Sequence, residues 1–155
     1  MKFSLLLLGL VGWSLSAAAS TPDCTNLSKI NGKYSLYDQT GKSLADLGQM
    51  DSMTVYATGC QLSGLSADNQ VLYFDLQNNV APDGVSVIKA EILQHTNPSA
   101  TLEFRVQRTN MATNTITSRA LFRLLQSGDL IIVTDIYDKK GSLLNHNVVI
   151  GRKTN

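Results

Sequence analysis

Short runs of alternating apolar and polar residues follow one another along most of the chain. In the run 53–58, for example, Met53, Val55 and Ala57 share one side, and polar residues separate them. Strict alternation over a few residues is the pattern of a β-strand with one buried face. In the first half of the chain this pattern covers residues 32–38, 53–58 and 71–76.

The second half of the chain repeats the pattern at closer spacing. Strand-like runs cover residues 85–95, 101–108, 115–125, 130–137 and 143–152. Connectors such as 126–129 and 138–141 are short and rich in turn-forming residues, and short connectors force antiparallel neighbours. We therefore predict an all-β fold, an antiparallel meander of about eight or nine strands that closes as a small barrel or folds over as a sandwich. Residues 44–51 are the stretch with the most helical character.

The first predicted strand carries a short family resemblance. Gly32-Lys33-Tyr34 resembles the Gly-x-Trp at the start of lipocalin-like barrels, with Tyr34 where that family has Trp. The resemblance covers these three residues. It implies a lipocalin-like barrel and assigns no residue a role.

The beginning of the chain has the anatomy of a cleavable signal peptide. Lys2 precedes the apolar run 3–15, and Ala17 to Ala19 supply the small side chains that a signal peptidase reads. The run is shorter than the roughly 18 apolar residues of a membrane span, which is the alternative. We predict a signal peptide at 1–19 and a single all-β domain at 20–155. The product is then secreted or periplasmic, with no stable membrane anchor.

The predicted mature domain is close to electrically neutral. Removal of Lys2 with the signal lowers the count of basic residues from 13 to 12, equal to the 12 acidic residues. Nucleic-acid binding draws its affinity from an excess of cations, and no basic run longer than Lys139-Lys140 occurs. Nucleic acid is therefore not expected as a partner.

The chain contains two cysteines, Cys24 and Cys60. An even pair in an exported chain, outside any Cys-x-x-Cys motif, indicates a structural disulfide. A metal pair or a catalytic thiol is the alternative, but each needs further ligands or a nearby base. We expect a disulfide, no metal site and no cofactor.

Three residues are candidate ligand contacts: His146, Ser118 and Tyr34. His146 shares strand parity with Leu144 and Val148, which predicts a titratable ring on the apolar face of its strand. Ser118 occupies an inward position of its own strand, where small side chains leave room for a cavity or fit a tapering barrel. Charged residues at the alternate positions, such as Glu103 and Arg123, are expected on a solvated outer face.

These residues support hypotheses from different functional classes. The first is a non-catalytic exported binding protein for a small apolar ligand or lipid. The second is a secreted protein-interaction module, such as an inhibitor, an immunity-type protein or an effector. The third is a small hydrolase using His146, with Ser118 and Asp135 as the available triad partners. Whether the protein is an enzyme is open from the sequence, and the absence of catalytic motifs favours a non-catalytic role.

Overall fold

The computed structural model describes residues 23–66, 71–75, 84–93 and 98–154. The predicted signal peptide, residues 1–19, lies outside the described residues. Within the described part, nine β-strands and two short 3-10 helices, Leu27–Ile30 and Ala45–Leu47, form the secondary structure. The strands are β1 Gly32–Asp38, β2 Ser52–Thr58, β3 Gln61–Ser66, β4 Val71–Asp75, β5 Ser86–Ile92, β6 Ala100–Asn110, β7 Thr115–Leu125, β8 Leu130–Tyr137 and β9 Leu143–Thr154.

All of these strands belong to one antiparallel sheet, which curls into a half-barrel. The order across the sheet is β4-β3-β2-β1-β9-β8-β7-β6-β5. Two meanders, β1 to β4 and β5 to β9, are therefore joined by the pairing of the first strand with the last. The all-β antiparallel prediction is confirmed. Strand β3 was not among the predicted runs, because its glycine and two serines weaken the strand signal.

The core occupies the concave side of the sheet. The rings of Phe104 and Phe122 lie directly opposite each other on β6 and β7 and stack with centroids 4.6 Å apart. The same row of cross-strand pairs continues through Ile132 on β8 to Val149 on β9. Since directly paired residues project from the same side of a sheet, this row shows which residues of each strand face the core.

The short helix Leu27–Ile30 packs against one end of the core. Leu27 and Ile30 are both buried in the main hydrophobic cluster. The predicted disulfide is present: Cys24 and Cys60 are bonded, with Cα atoms 5.2 Å apart. It ties the segment before this helix to the turn between β2 and β3.

Two turns of the same sequence pattern lie at the ends of β1 and β8. The first turn, residues 37–41, reads Tyr-Asp-Gln-Thr-Gly, and the second turn, residues 137–141, reads Tyr-Asp-Lys-Lys-Gly. In both, one aspartate oxygen accepts the backbone N–H groups two and four positions later, at 2.8 to 2.9 Å. The closing glycines have φ of 85° and 82°, where side chains are disfavoured. Aspartate and glycine are common to both turns, whereas the side chains of the two residues between them differ, so the shared backbone geometry does not require a particular pair of side chains there.

Hydrogen bonding in the first turn also changes the acidity of its aspartate. The hydroxyl of Thr40 donates to the Asp38 carboxylate, and the backbone N–H groups of Lys42, Thr40 and Gly41 add to the effect. These bonds lower the pKa of Asp38 below its ordinary value, because they stabilise the charged form.

Candidate functional site

The structure places His146 on the outer face of the sheet. On β9 the core-facing residues are the odd-numbered ones, because Val149 continues the row of Phe122 and Ile132. His146 belongs to the opposite set and pairs with Asp135 on β8, which in turn pairs with Arg119 on β7. The prediction that His146 lies on a core-facing or cavity-edge position is therefore wrong.

His146 and Asp135 form a side-chain hydrogen bond at the surface. The Nδ1 atom of His146 lies 2.7 Å from Oδ1 of Asp135, and the two side chains are 54% and 30% exposed. This contact fixes the orientation of the imidazole ring. Exposed pairs of this kind contribute at most about 1 kcal/mol to stability.

The other two candidate residues lie elsewhere. Ser118 pairs with Ile136 and shares the core-facing side of β7 with Phe122, so the sheet separates its hydroxyl from His146. Asp135 and His146 are thus in contact, as two members of a catalytic triad would be, but Ser118 does not supply the third member. Tyr34 lies in the core at the end covered by the short helix. The structure brings none of the three candidates together.

The hydroxyl of Tyr34 already has a partner. It donates a hydrogen bond to the carbonyl oxygen of Ile30 at 2.7 Å, and the ring packs against Gly151, where a Cβ would lie 3.2 Å from Tyr34. Burial, with a smaller contribution from the charge of Asp129, raises the pKa of Tyr34 to about 12. Its contacts join the 3-10 helix to the sheet.

We predict that Tyr34→Phe lowers the free energy of unfolding by about 1–2 kcal/mol, because the buried Ile30 carbonyl loses its donor.

The ionisation of Tyr34 also predicts that stability depends on pH. The unfolded phenol ionises near its ordinary pKa of 10.0, whereas the folded one resists ionisation up to about 12. Stability should therefore fall as the pH rises through this window. Chemical denaturation at a series of pH values checks both effects, and an equal decline in the Tyr34→Phe variant would contradict the second.

A small apolar cavity lies in the core beside Ile30, Met53 and Phe122. Its volume is about 10 Å³. Small-molecule sites typically measure about 300–1,000 Å³, so this cavity is a packing gap and not a ligand chamber. Binding of a small apolar ligand stays a prediction, and this cavity does not support it.

The outer face of the sheet carries a contiguous group of half-buried aliphatic side chains. We call it the outer apolar patch; its members are Leu121, Ile131, Val133, Val148 and Ile150. Val133 pairs with both Leu121 and Val148, and Ile131 pairs with Ile150, so the five side chains form two adjacent rows across β7, β8 and β9. When one face of a sheet is exposed to solvent, the side chains on that face are normally polar.

Sequence reasoning missed this patch, although a signal was available. The strands β8 and β9 contain unbroken apolar runs, Leu130 to Val133 and Val148 to Ile150. Continuous apolar runs are typical of strands that are covered on both faces. In the described part of the chain, the core covers one face of these strands and no strand or helix packs on the other.

Aromatic and cationic side chains surround the outer apolar patch. The guanidinium group of Arg152 lies 4.5 Å from the centre of the Tyr37 ring beside Ile150. Three arginines of this outer face, Arg105, Arg119 and Arg152, have no carboxylate within 4.0 Å among the described residues. Tyrosine and arginine are the residue types enriched at the centres of protein interfaces.

The first half of β9 also presents a strand edge beside the patch. Its pairing with β1 ends at Val149, and residues 143–148 pair on one side with β8 alone within the described chain. Leu143 and Leu144 at the start of this edge are 55% and 66% exposed. An open edge with exposed apolar residues is a template for pairing with another chain.

Comparison with protein-family models, with curated proteins and with solved structures finds no significant match to this chain. The described residues contain no helix that is long and apolar enough to cross a membrane. They also contain no group of three or more histidine, cysteine or acidic side chains arranged to hold a metal ion.

Proposed function

We propose that this protein is an exported, non-catalytic interaction module that binds a partner protein through the outer apolar patch. One observation carries the proposal: β8 and β9 have the apolar runs of doubly covered strands, yet their outer side chains have no covering element in the described chain. A partner surface would cover the side chains that the described part of the chain leaves uncovered.

The charges around the patch indicate the chemistry of that partner. Arg105, Arg119 and Arg152 stand at its border without carboxylate partners in the described part of the chain. An apolar centre with acidic residues around it would complement this face. A second copy of the same chain would bring like charges together, which favours a different, acidic partner.

Two further features support an exported module of this kind. The predicted signal peptide at 1–19 directs the chain out of the cytoplasm, and the disulfide between Cys24 and Cys60 suits an oxidising compartment. The open edge of β9 adjoins the patch, so a partner strand can extend the sheet while its neighbours cover the aliphatic side chains.

The test is a pair of substitutions at the centre of the patch, Val133→Glu and Val148→Glu, made together. Partners captured from periplasm or culture supernatant by the wild-type protein are identified, purified and titrated against both forms. We expect the affinity for the partner to fall at least about 30-fold, because the new carboxylates repel an acidic partner. A loss of this size is typical of substitutions at the centre of a protein interface. The wild-type affinity should also weaken as salt is raised.

Tyr56→Glu is the matched control, because Tyr56 is an exposed aromatic residue on the outer face of β2, away from the patch. Circular dichroism and thermal unfolding verify that all variants fold. A partner that binds the patch variant as tightly as the wild type would overturn the proposal. So would a purified chain that dimerises through the patch, or native mass spectrometry showing a bound lipid and no protein partner.

A further inference from the structure

A second feature lies on the same face but beyond the patch, where two hairpins approach each other. Asn114 and the first two residues of β7, Thr115 and Ile116, form one wall of a surface pocket of about 340 Å³. The rest of its lining is Arg119 of β7 and four residues of the second turn: Tyr137, Lys139, Lys140 and Gly141. This volume is at the lower end of the range of about 300–1,000 Å³ for small-molecule sites, so it fits a molecule of roughly monosaccharide size.

The three cations of this pocket are available to a ligand. Neither lysine has a carboxylate within 4.0 Å among the described residues, and the neighbouring Asp138 carboxylate accepts backbone N–H groups of the turn instead. Arg119 is held in place by a hydrogen bond from Nε to Gln107 Oε1 at 3.3 Å and by the ring of Tyr137, 5.7 Å from its guanidinium carbon. Its terminal N–H groups have no acceptor within the described chain.

The first turn provides an internal comparison. It has the same aspartate and glycine geometry and the same tyrosine covered by an arginine, Tyr37 under Arg152. At the two positions that vary, it carries Gln39 and Thr40 in place of Lys139 and Lys140. The lysines are therefore not required to build the turn, and they place two charges beside Arg119.

From this geometry we propose that the pocket binds a phosphate or sulfate ester carried on a small ring, such as a phosphorylated or sulfated sugar. Lysine and arginine donate charge-assisted hydrogen bonds to tetrahedral oxyanions. Tyr137 and Ile116 give the ring a less polar wall, and Asn114 and Thr115 offer partners for its hydroxyl groups. This ligand site shares Arg119 with the border of the outer apolar patch, contains none of its five aliphatic members and does not depend on the proposed protein partner.

The test titrates the full chain with glucose 6-phosphate, glucose 6-sulfate and neutral glucose, followed by calorimetry and by NMR of backbone amides and arginine side chains. We expect both esters to bind and to shift the signals of Lys139, Lys140 and the Arg119 Nε–H, and glucose to leave them unchanged. Vesicles of phosphatidic acid and of phosphatidylcholine form a separate arm. Binding to the anionic vesicles alone, through the same residues, would identify a lipid headgroup as the source of the phosphate ester.

The matched variant transplants the first turn into the second, Lys139→Gln with Lys140→Thr. It should fold normally and weaken ester binding at least about tenfold, because two charge-assisted contacts are lost. Adding Gln39→Lys and Thr40→Lys restores the net charge at the other turn and should not restore binding. Recovery of binding in that variant, or no ester-dependent shifts in the wild type, would overturn the proposal. The Val133→Glu, Val148→Glu protein should still bind the ester, so failure of one proposal is distinguishable from failure of the other.

Discussion

Removing the disulfide, by Cys24→Ser together with Cys60→Ser, is expected to lower the free energy of unfolding by about 4 kcal/mol. The bond joins residues 36 positions apart, and a closed loop of that length restricts the unfolded chain considerably. Losing this restriction stabilises the unfolded state relative to the folded one. The effect is a large part of the roughly 5–15 kcal/mol that holds a typical domain together.

The folded state should also show where the bond acts. Cys24 precedes the helix Leu27–Ile30, whose two apolar residues cover one end of the core. Without the bond, amide exchange should increase first in this helix and at the β2–β3 turn. Urea denaturation measures the stability change, and a reducing agent should reproduce it in the wild type but have no effect on the double variant. Equal stability of wild type and variant under oxidising conditions would contradict the prediction.

The sequence was sufficient to predict most of the fold because alternation and short turns are local signals. Met53, Val55 and Ala57 are buried together on β2, as their spacing predicts. The run 44–51, which has some helical character, contains the single 3-10 turn Ala45–Leu47. The pairing of β1 with β9 could not be predicted in this way, because strands so far apart in the chain leave no local signal of their contact.

The sequence of β9 alone does not show which of its residues face the core. Val148, Val149 and Ile150 are consecutive, so either set of alternate residues could face the core. A shift of one residue exchanges the two faces completely. The choice is made by Ile132 across the ladder, which pairs with Val149 and leaves His146 outside. The position of the candidate histidine therefore depended on a tertiary contact.

The surface pocket beside the second turn and the outer apolar patch are also products of topology. The pocket combines Ile116 and Arg119 with the second turn, and these segments meet because β7 and β8 are adjacent. The pair Lys139-Lys140 is evident in the sequence, but two adjacent lysines alone do not indicate a ligand-binding site. Only the comparison of two turns with the same backbone geometry shows that this geometry does not need lysine side chains at these positions.

The buried charge of Glu103 is a second departure from the sequence-based expectation. The alternation places it on the outer face among solvated charges, yet Glu103 is 3% exposed. Its carboxylate oxygen Oε1 accepts hydrogen bonds from two nitrogens of Arg123, at 2.7 and 3.2 Å. The expectation of a fully solvated charged face is wrong at this position, because the pair is partly shielded from water.

This shielding predicts that Arg123→Met lowers the free energy of unfolding by about 3 kcal/mol. Removing Arg123 takes away the cation that is hydrogen-bonded to the buried Glu103 carboxylate, which is more costly than losing an exposed pair. Urea denaturation of the wild type and the variant at neutral pH measures the loss.

Two further variants separate the lost charge pairing from general effects of the substitution. Arg105→Met removes an exposed cation from the same outer face of the sheet and should change stability by less than about 0.5 kcal/mol. Adding Glu103→Gln to Arg123→Met removes the buried charge and should recover much of the loss, because a neutral amide is less costly to bury than a carboxylate. If the double variant is no more stable than Arg123→Met alone, the loss comes from packing of the arginine side chain and not from the buried carboxylate.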